Sequence, residues 1–178
     1  MTLSLRDPLT LDDLLNYRLL RLYAASTAPV TRLMEGRWGI TRREWRLLAL
    51  LATHGALSPS TLAERANLDR ARTSRAITSL VDKKLALRAA QRGDARRASI
   101  VLSKVGQRLF DEIFPQVAAI NARVVAVLDD ADVEVLDRAL ARLTAQAVKL
   151  NGEIAQDVRA DRHAGGSRRP REPIDTED

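Results

Sequence analysis

The stretch from Ser58 to Leu102 constrains this chain more than any other. Ser58 is a good N-cap and Pro59 suits the first helical position, so a short helix starts there and ends near Asn67. Asp69 caps a second helix that runs to about Lys84 and carries Arg70, Arg72 and Arg75 on its first two turns. Ile77, Leu80 and Val81 must turn inward against Leu62, Ala63 and Ala66. That leaves Arg70, Arg72, Ser74, Arg75 and Thr78 projecting outward or toward the flanks. Leu85, Leu87 and Ala89 then alternate, as do Ile100 and Leu102, with Gly93-Asp94 between them, which predicts a β-hairpin. Helix, tight turn, helix and arginine-rich hairpin form the order of a winged helix-turn-helix, whose second helix enters a DNA major groove.

The flanking segments are helical. Leu11, Leu14, Leu15, Leu19, Leu22 and Ser26 repeat at helical spacing, predicting a first helix from about Asp12 to about Met34, kinked or ended by Pro29. Thr41 and Glu44 form a capping box before a leucine-rich helix that should stop at Gly55, in the left-handed position. Ser103 caps a long helix through Val105, Leu109, Ile113, Ile120, Val124, Val127 and Leu128, with a bend expected at Pro115. Asp129 and Asp132 open a last helix with Val133, Leu136, Leu140, Leu143, Ala147, Leu150 and Ile154 on one side. The fold class is therefore mainly α, about six helices plus a β-hairpin wing. The apolar stripes of the first and last two helices have too little of their own chain to cover them. A homodimer interlocking these helices would bury them; a monomeric bundle is the alternative.

Charge supports this division. Between Ser60 and Arg108 twelve Lys/Arg face four acids, a surplus of eight, while the rest of the chain nets −2 against a total of +6. Clustered on the helix-turn-helix, that surplus reads as a phosphate-binding footprint. Cysteine is absent, which excludes disulfides and thiolate metal sites, and only His54 and His163 could serve as imidazole ligands, so no metal or cofactor is expected. Arg6, Asp7 and Pro8 interrupt any signal-like start, and the run Leu47–Ala52 is too short to span a bilayer, so a soluble cytoplasmic protein without a membrane role is expected. No nucleophile–base pair, glycine-rich phosphate loop or metal set supports an enzyme, and the catalytic set is empty.

Taken together, the segments Gly39-Ile-Thr-Arg-Arg-Glu-Trp-Arg-Leu-Leu, Leu62-Ala-Glu-Arg-Ala-Asn-Leu-Asp-Arg-Ala-Arg-Thr-Ser-Arg, Asp94-Ala-Arg-Arg-Ala and Leu102-Ser-Lys-Val-Gly resemble the multiple-antibiotic-resistance regulator (MarR) family of bacterial transcription factors. The match covers roughly residues 11–150. The resemblance implies a homodimeric repressor on a palindromic double-stranded DNA operator, released by a small aromatic or phenolic acid. It organises the chain as a domain over 1–155, with dimerisation helices at 11–36 and 104–155 and a DNA-binding lobe at 39–103; beyond it the composition shifts, and Gly165-Gly-Ser-Arg-Arg-Pro-Arg-Glu-Pro marks 156–178 as a disordered charged tail.

DNA-binding candidates are Arg70, Arg72, Ser74, Arg75 and Thr78. Thr73 is counted with them, although the resemblance sets that position, where Val is commoner, toward the helix–helix contact. Arginine offers two parallel donors to guanine, but each of these arginines could instead grip only phosphate. In the wing, Asp94 could aim Arg96 into the minor groove, or could merely build the turn with Gly93; Arg97 would then meet phosphate or solvent. For an aromatic acid, the resemblance points to Tyr17, Arg18, Arg21, Tyr23, Trp38, Trp45 and His54. Trp45 also fits core packing, and His54 could satisfy last-turn carbonyls. Two other functions remain open: DNA binding without a sensor, and a winged-helix protein-interaction module whose binding would ignore salt.

Overall fold

The computed structural model describes residues 5–91 and 94–157, and of residues 90, 91 and 94–98 the backbone alone. It is mainly helical: six α-helices and a two-stranded hairpin among the described residues. The chain divides into two units, one ending at Val127 and one starting at Leu128.

The first unit opens with a 3₁₀ turn, Leu11–Asp13, followed by α1 (Leu15–Leu33) and a π turn, Met34–Trp38. One continuous helix from Asp12 was expected; the two are separated at Leu14, whose backbone is extended (φ −68°, ψ 129°). Asp13 causes the break. Its buried carboxylate reaches back to accept from the Leu9 and Thr10 amides at 3.2 and 2.9 Å and from the Thr10 hydroxyl at 2.8 Å, stopping the turn before it can propagate. Pro29, in contrast, does not end α1. It removes one donor, and Ala25, whose carbonyl is freed, is exposed to water.

Next come α2 (Arg42–His54), α3 (Pro59–Arg65) and α4 (Arg70–Asp82), then β1 (Ala86–Gln91), β2 (Asp94–Leu102) and α5 (Lys104–Val125). The expected caps form: Thr41, Ser58 and Ser103 each accept from the backbone amide three residues on, at 3.3, 3.1 and 2.9 Å. The fourth helix stops at Asp82 rather than Lys84, which takes φ 59°, and Gly55 has φ 73° with ψ −140°, outside the left-handed helical region expected for it. Helix α5 runs through Pro115 and ends at Val125. The strands pair antiparallel from Ala86–Leu102 to Ala90–Ala98, with a register shift beyond Ala90, and Leu57 bridges to Ile100 beside them. Gly106 lies so close to the Leu85 carbonyl that a Cβ there would overlap it, so the start of α5 meets the chain entering β1 backbone to backbone.

Met34, Ile40, Leu47, Leu48, Leu51, Leu62, Ile77, Leu80, Ile100 and Ile113 form the core of this unit. Of α1, only Val30 packs against it; Leu19, Leu20 and Leu22 stay 37–58% exposed. The second unit is described by α6 (Asp130–Asp157), capped by Asp129, whose carboxylate accepts from the Asp132 amide at 2.8 Å. None of its residues is buried, and Leu136, Leu140, Leu143, Leu150 and Ile154 are at least 40% exposed. Gln156 and Asp157, placed in the expected tail, are helical; the rest of the tail lies outside the described residues. Among those described, no helix is long and apolar enough to cross a membrane, and no cluster of side chains could hold a metal ion.

Candidate nucleic-acid interface

Helix α4 is fixed first at its start. Asp69 accepts from the Arg72 amide at 2.7 Å, supplying one of the bonds that a helix N-terminus lacks. Thr73, Ala76, Ile77 and Leu80 are buried at i, i+3, i+4 and i+7, gluing one face to the core. With about 100° per residue, the opposite face is led by Ala71, Arg75 and Thr78, with Arg72 and Ser79 on one flank and Arg70 and Ser74 on the other. Arg70, Arg72, Ser74, Arg75 and Thr78 are all exposed. Arg72 pairs with Asp69 at 3.3 Å, and Arg88 of β1 reaches Thr78 at 3.5 Å.

Thr73 corrects the expectation that it belongs to this face. It is 1% exposed, and its hydroxyl donates to the Asp69 carbonyl at 2.9 Å. Its position at the head of the buried i, i+3, i+4, i+7 set turns it into the core, out of reach of a groove.

A second fastening comes from Glu44, on the first turn of α2. Its carboxylate is buried, yet accepts from the Thr41 amide at 2.6 Å, from Ser79 at 2.6 Å and from Lys83 at 2.7 Å. Burial alone would raise its pKa; the bonds from Lys83, Ser79 and Thr41 outweigh it and hold the carboxyl below its ordinary value. The capping box expected from sequence therefore has a second use: it ties α2 to the far end of α4. Lys83 also donates to the Gly39 carbonyl at 2.8 Å. Between α2 and α4 lies a cleft of about 360 Å³ lined by Thr41, Arg43, Glu44, Arg72, Arg75, Ala76 and Ser79. Arg43 is not among the site residues expected from sequence, where its segment marks a capping box and the family resemblance; its adjacency to Glu44 was the signal available.

The backbone of Asp94, Arg96 and Arg97 lies on β2, while their side chains fall outside the described residues, as does Gly93.

The residues expected to meet a small acid are dispersed. Arg18 donates to the Asp12 carbonyl at 2.8 Å and lies 3.8 Å from Asp13; Arg21 pairs with Asp12 at 3.0 Å. Both clasp the N-terminal turn. The Asp13 carboxyl is held below its ordinary value by the Thr10 hydroxyl, against the effect of burial, with the Leu9 and Thr10 amides and Arg18 adding to the lowering. Tyr17 is half-buried on α1. Trp38 and Trp45 both lean on α5: the Trp38 indole donates to Glu112 at 2.9 Å, and Trp45 stacks on Phe110 with centroids 5.7 Å apart. Phe110 in turn meets Phe114 at 5.2 Å, and Phe114 is 51% exposed. Tyr23 bonds Arg46 instead, and His54 lies apart, its Nε2 accepting from Arg65 at 3.2 Å. The structure brings the two tryptophans to one helix and leaves the other candidates elsewhere.

A sequence model of the MarR family matches residues 38–97, from the end of the π turn into β2. The HTH-type transcriptional regulator FarR of Neisseria gonorrhoeae is 33% identical over 78 residues, 44% of this chain and 53% of FarR; the chain thus spans about half the length of that curated relative. Among solved structures, a MarR family transcriptional regulator from Silicibacter pomeroyi is similar with a TM-score of 0.68 at 25% identity, over 80% of this chain and 91% of that one. NadR in complex with 4-hydroxyphenylacetate is similar with a TM-score of 0.64 at 28% identity, over 73% of this chain and 92% of NadR.

Proposed function

The chain belongs to the MarR family of winged helix-turn-helix transcriptional regulators, a family of regulators and not of enzymes, and on that premise we propose that it represses transcription as a homodimer seated on a palindromic operator. The observation that carries this reading is the exposed face of α4. Arg70, Ser74, Arg75 and Thr78 stand on a helix clamped by its buried side and by Asp69. Such a helix enters a major groove with its side chains already placed. Arg96 and Arg97 would follow from the wing. The exposed apolar residues of α1 and α6 supply the faces a second copy would cover, as dimerisation helices flanking a DNA-binding lobe over 39–103. A cytoplasmic location accords with this role.

The effector is a small aromatic or phenolic acid. Support comes from NadR, solved with 4-hydroxyphenylacetate, and from the Trp45–Phe110–Phe114 ladder, whose last ring is half exposed. Two recognition helices must lie roughly 34–36 Å apart to enter successive major grooves. A ligand that binds better to another spacing releases the DNA, and only to the extent of that preference.

The test is a titration of the protein with a duplex selected from a random pool and with a scrambled duplex, at several salt concentrations, with and without 4-hydroxyphenylacetate. Binding that favours the selected duplex, weakens steeply with salt and drops with the acid is the expected result. Affinity indifferent to salt and sequence overturns the DNA reading; affinity unmoved by any aromatic acid overturns the sensor alone. Sedimentation at the same concentrations reports the dimer.

A further inference from the structure

The cleft between α2 and α4 holds an arginine that no step so far has used. Arg43 is exposed on the first turn of α2, and among the described residues its guanidinium makes no hydrogen bond, ion pair or ring contact. Its neighbours on α2 are committed: Arg42 lies over the Tyr23 ring at 5.2 Å, and Arg46 bonds the Tyr23 hydroxyl and the Ala66 carbonyl. Arg43 shares the cleft with Arg72 and Arg75 of α4, and Arg75 is likewise without a partner among the described residues. The one carboxylate lining the cleft, Glu44, is buried and already bonded to Thr41, Ser79 and Lys83, and Arg72 keeps its ion pair with Asp69 at 3.3 Å, so Arg43 and Arg75 are the cleft's uncompensated guanidinium groups among the described residues.

We infer that Arg43 is a DNA-contacting residue and that this cleft seats a backbone phosphate at the border of the major groove. The inference rests on the DNA reading of α4 and deepens it. A helix 10–12 Å across nearly fills a groove about 12 Å wide, so its flanks, not its crest, face the two phosphate ridges. Arg72 and Ser79 mark the flank of α4 that looks toward α2, and Arg43 extends that flank sideways. The bonds from Ser79 and Lys83 to Glu44, the residue next to Arg43, fix the two helices relative to each other. The phosphate therefore meets a preformed set of donors carried by two elements. Its oxygens accept from Arg43 on one side and from Arg72 or Arg75 on the other, in charge-assisted bonds that carry no sequence information.

The experiment compares wild type, Arg43→Ala, Arg43→Lys and Arg75→Ala on two duplexes, the one wild type selects from a random pool and a scramble of equal composition. Arg43→Ala is expected to weaken both duplexes alike, roughly tenfold, and to lower the slope of log affinity against log salt by about one. Arg43→Lys should recover most of the loss, and the thermal melt of Arg43→Ala should match wild type because the side chain is exposed and unbonded. If Arg43→Ala leaves affinity and slope unchanged while Arg75→Ala weakens binding, the DNA reading stands and this inference falls. A loss confined to the selected duplex would make Arg43 a base reader and overturn the phosphate assignment. Absence of salt-dependent binding by wild type overturns both.

Discussion

The Tyr23 hydroxyl of α1 and the Arg46 guanidinium of α2 meet at 2.6 Å, while the same guanidinium donates at 2.7 Å to the Ala66 carbonyl at the end of α3. One side chain thus connects the N-terminal helix to the turn that launches α4. Tyr23→Phe removes only the outer bond, at an exposed ring, and should lower stability by no more than about 1 kcal/mol. Arg46→Met leaves the Ala66 carbonyl without that donor, for a loss of about 1–3 kcal/mol. Urea melts of the two variants and their combination check this: the double variant should match Arg46→Met, because the Tyr23 hydroxyl acts through Arg46 while the ring under Arg42 is kept in Tyr23→Phe.

Glu44 sets an acid limit on the fold. Its carboxyl is held below its ordinary value in the folded chain, so the unfolded chain takes up the proton first as pH falls. The resulting stability is fully present above the ordinary value of 4.5 and is lost as pH drops through the folded value. Glu44→Gln should be destabilised at pH 7, where Lys83 loses its ionic partner. It should lose less than wild type between pH 6 and pH 3, as read from urea midpoints.

Thr73 and Arg75 differ by two residues and should respond in opposite ways. Thr73→Val fits the same buried volume, and the Asp69 carbonyl keeps its bond from the Thr73 amide at 3.0 Å, so stability should move by less than about 1 kcal/mol and DNA affinity not at all. Arg75→Ala should leave the melt unchanged and weaken DNA binding. A fall in affinity for Thr73→Val with an unchanged melt would put that residue back on the interface.

Gly106→Ala tests the join between α5 and the hairpin. The added methyl overlaps the Leu85 carbonyl, a backbone atom that cannot swing aside, although alanine is otherwise the better helix former. Destabilisation of about 1–3 kcal/mol is expected, read by thermal or urea denaturation. A stabilised variant would show that the two segments have room to separate.

What the sequence revealed about this fold is what local chemistry controls. Thr41, Ser58, Asp69 and Ser103 announce helix starts because a cap acts on an amide two or three residues away. The outward arginines of α4 followed from the inward stripe. Thr73 misled because a hydroxyl counts as polar until its bond to the carbonyl four residues back is seen. Asp13 misled similarly: an acid at the head of a leucine stripe reads as a helix start, and only its bonds to Leu9 and Thr10 turn it into a break. The arginines of α2 were unreadable for another reason. Arg42, Arg43 and Arg46 differ little in sequence context, yet one lies over Tyr23, one opens on the α4 cleft and one spans Tyr23 and Ala66, 23 and 20 residues away along the chain, choices that only the packed fold sets.

The tryptophan placement has a practical result. The chain has two tryptophans, and both rest against α5, Trp38 through Glu112 and Trp45 through Phe110. Intrinsic emission is therefore a private optical channel from the α2–α5 seam, with α4 and the hairpin contributing no indole signal of their own. If duplex DNA docks on α4 as proposed, a change in that emission on adding it reports how far the contact is felt beyond the helix that makes it.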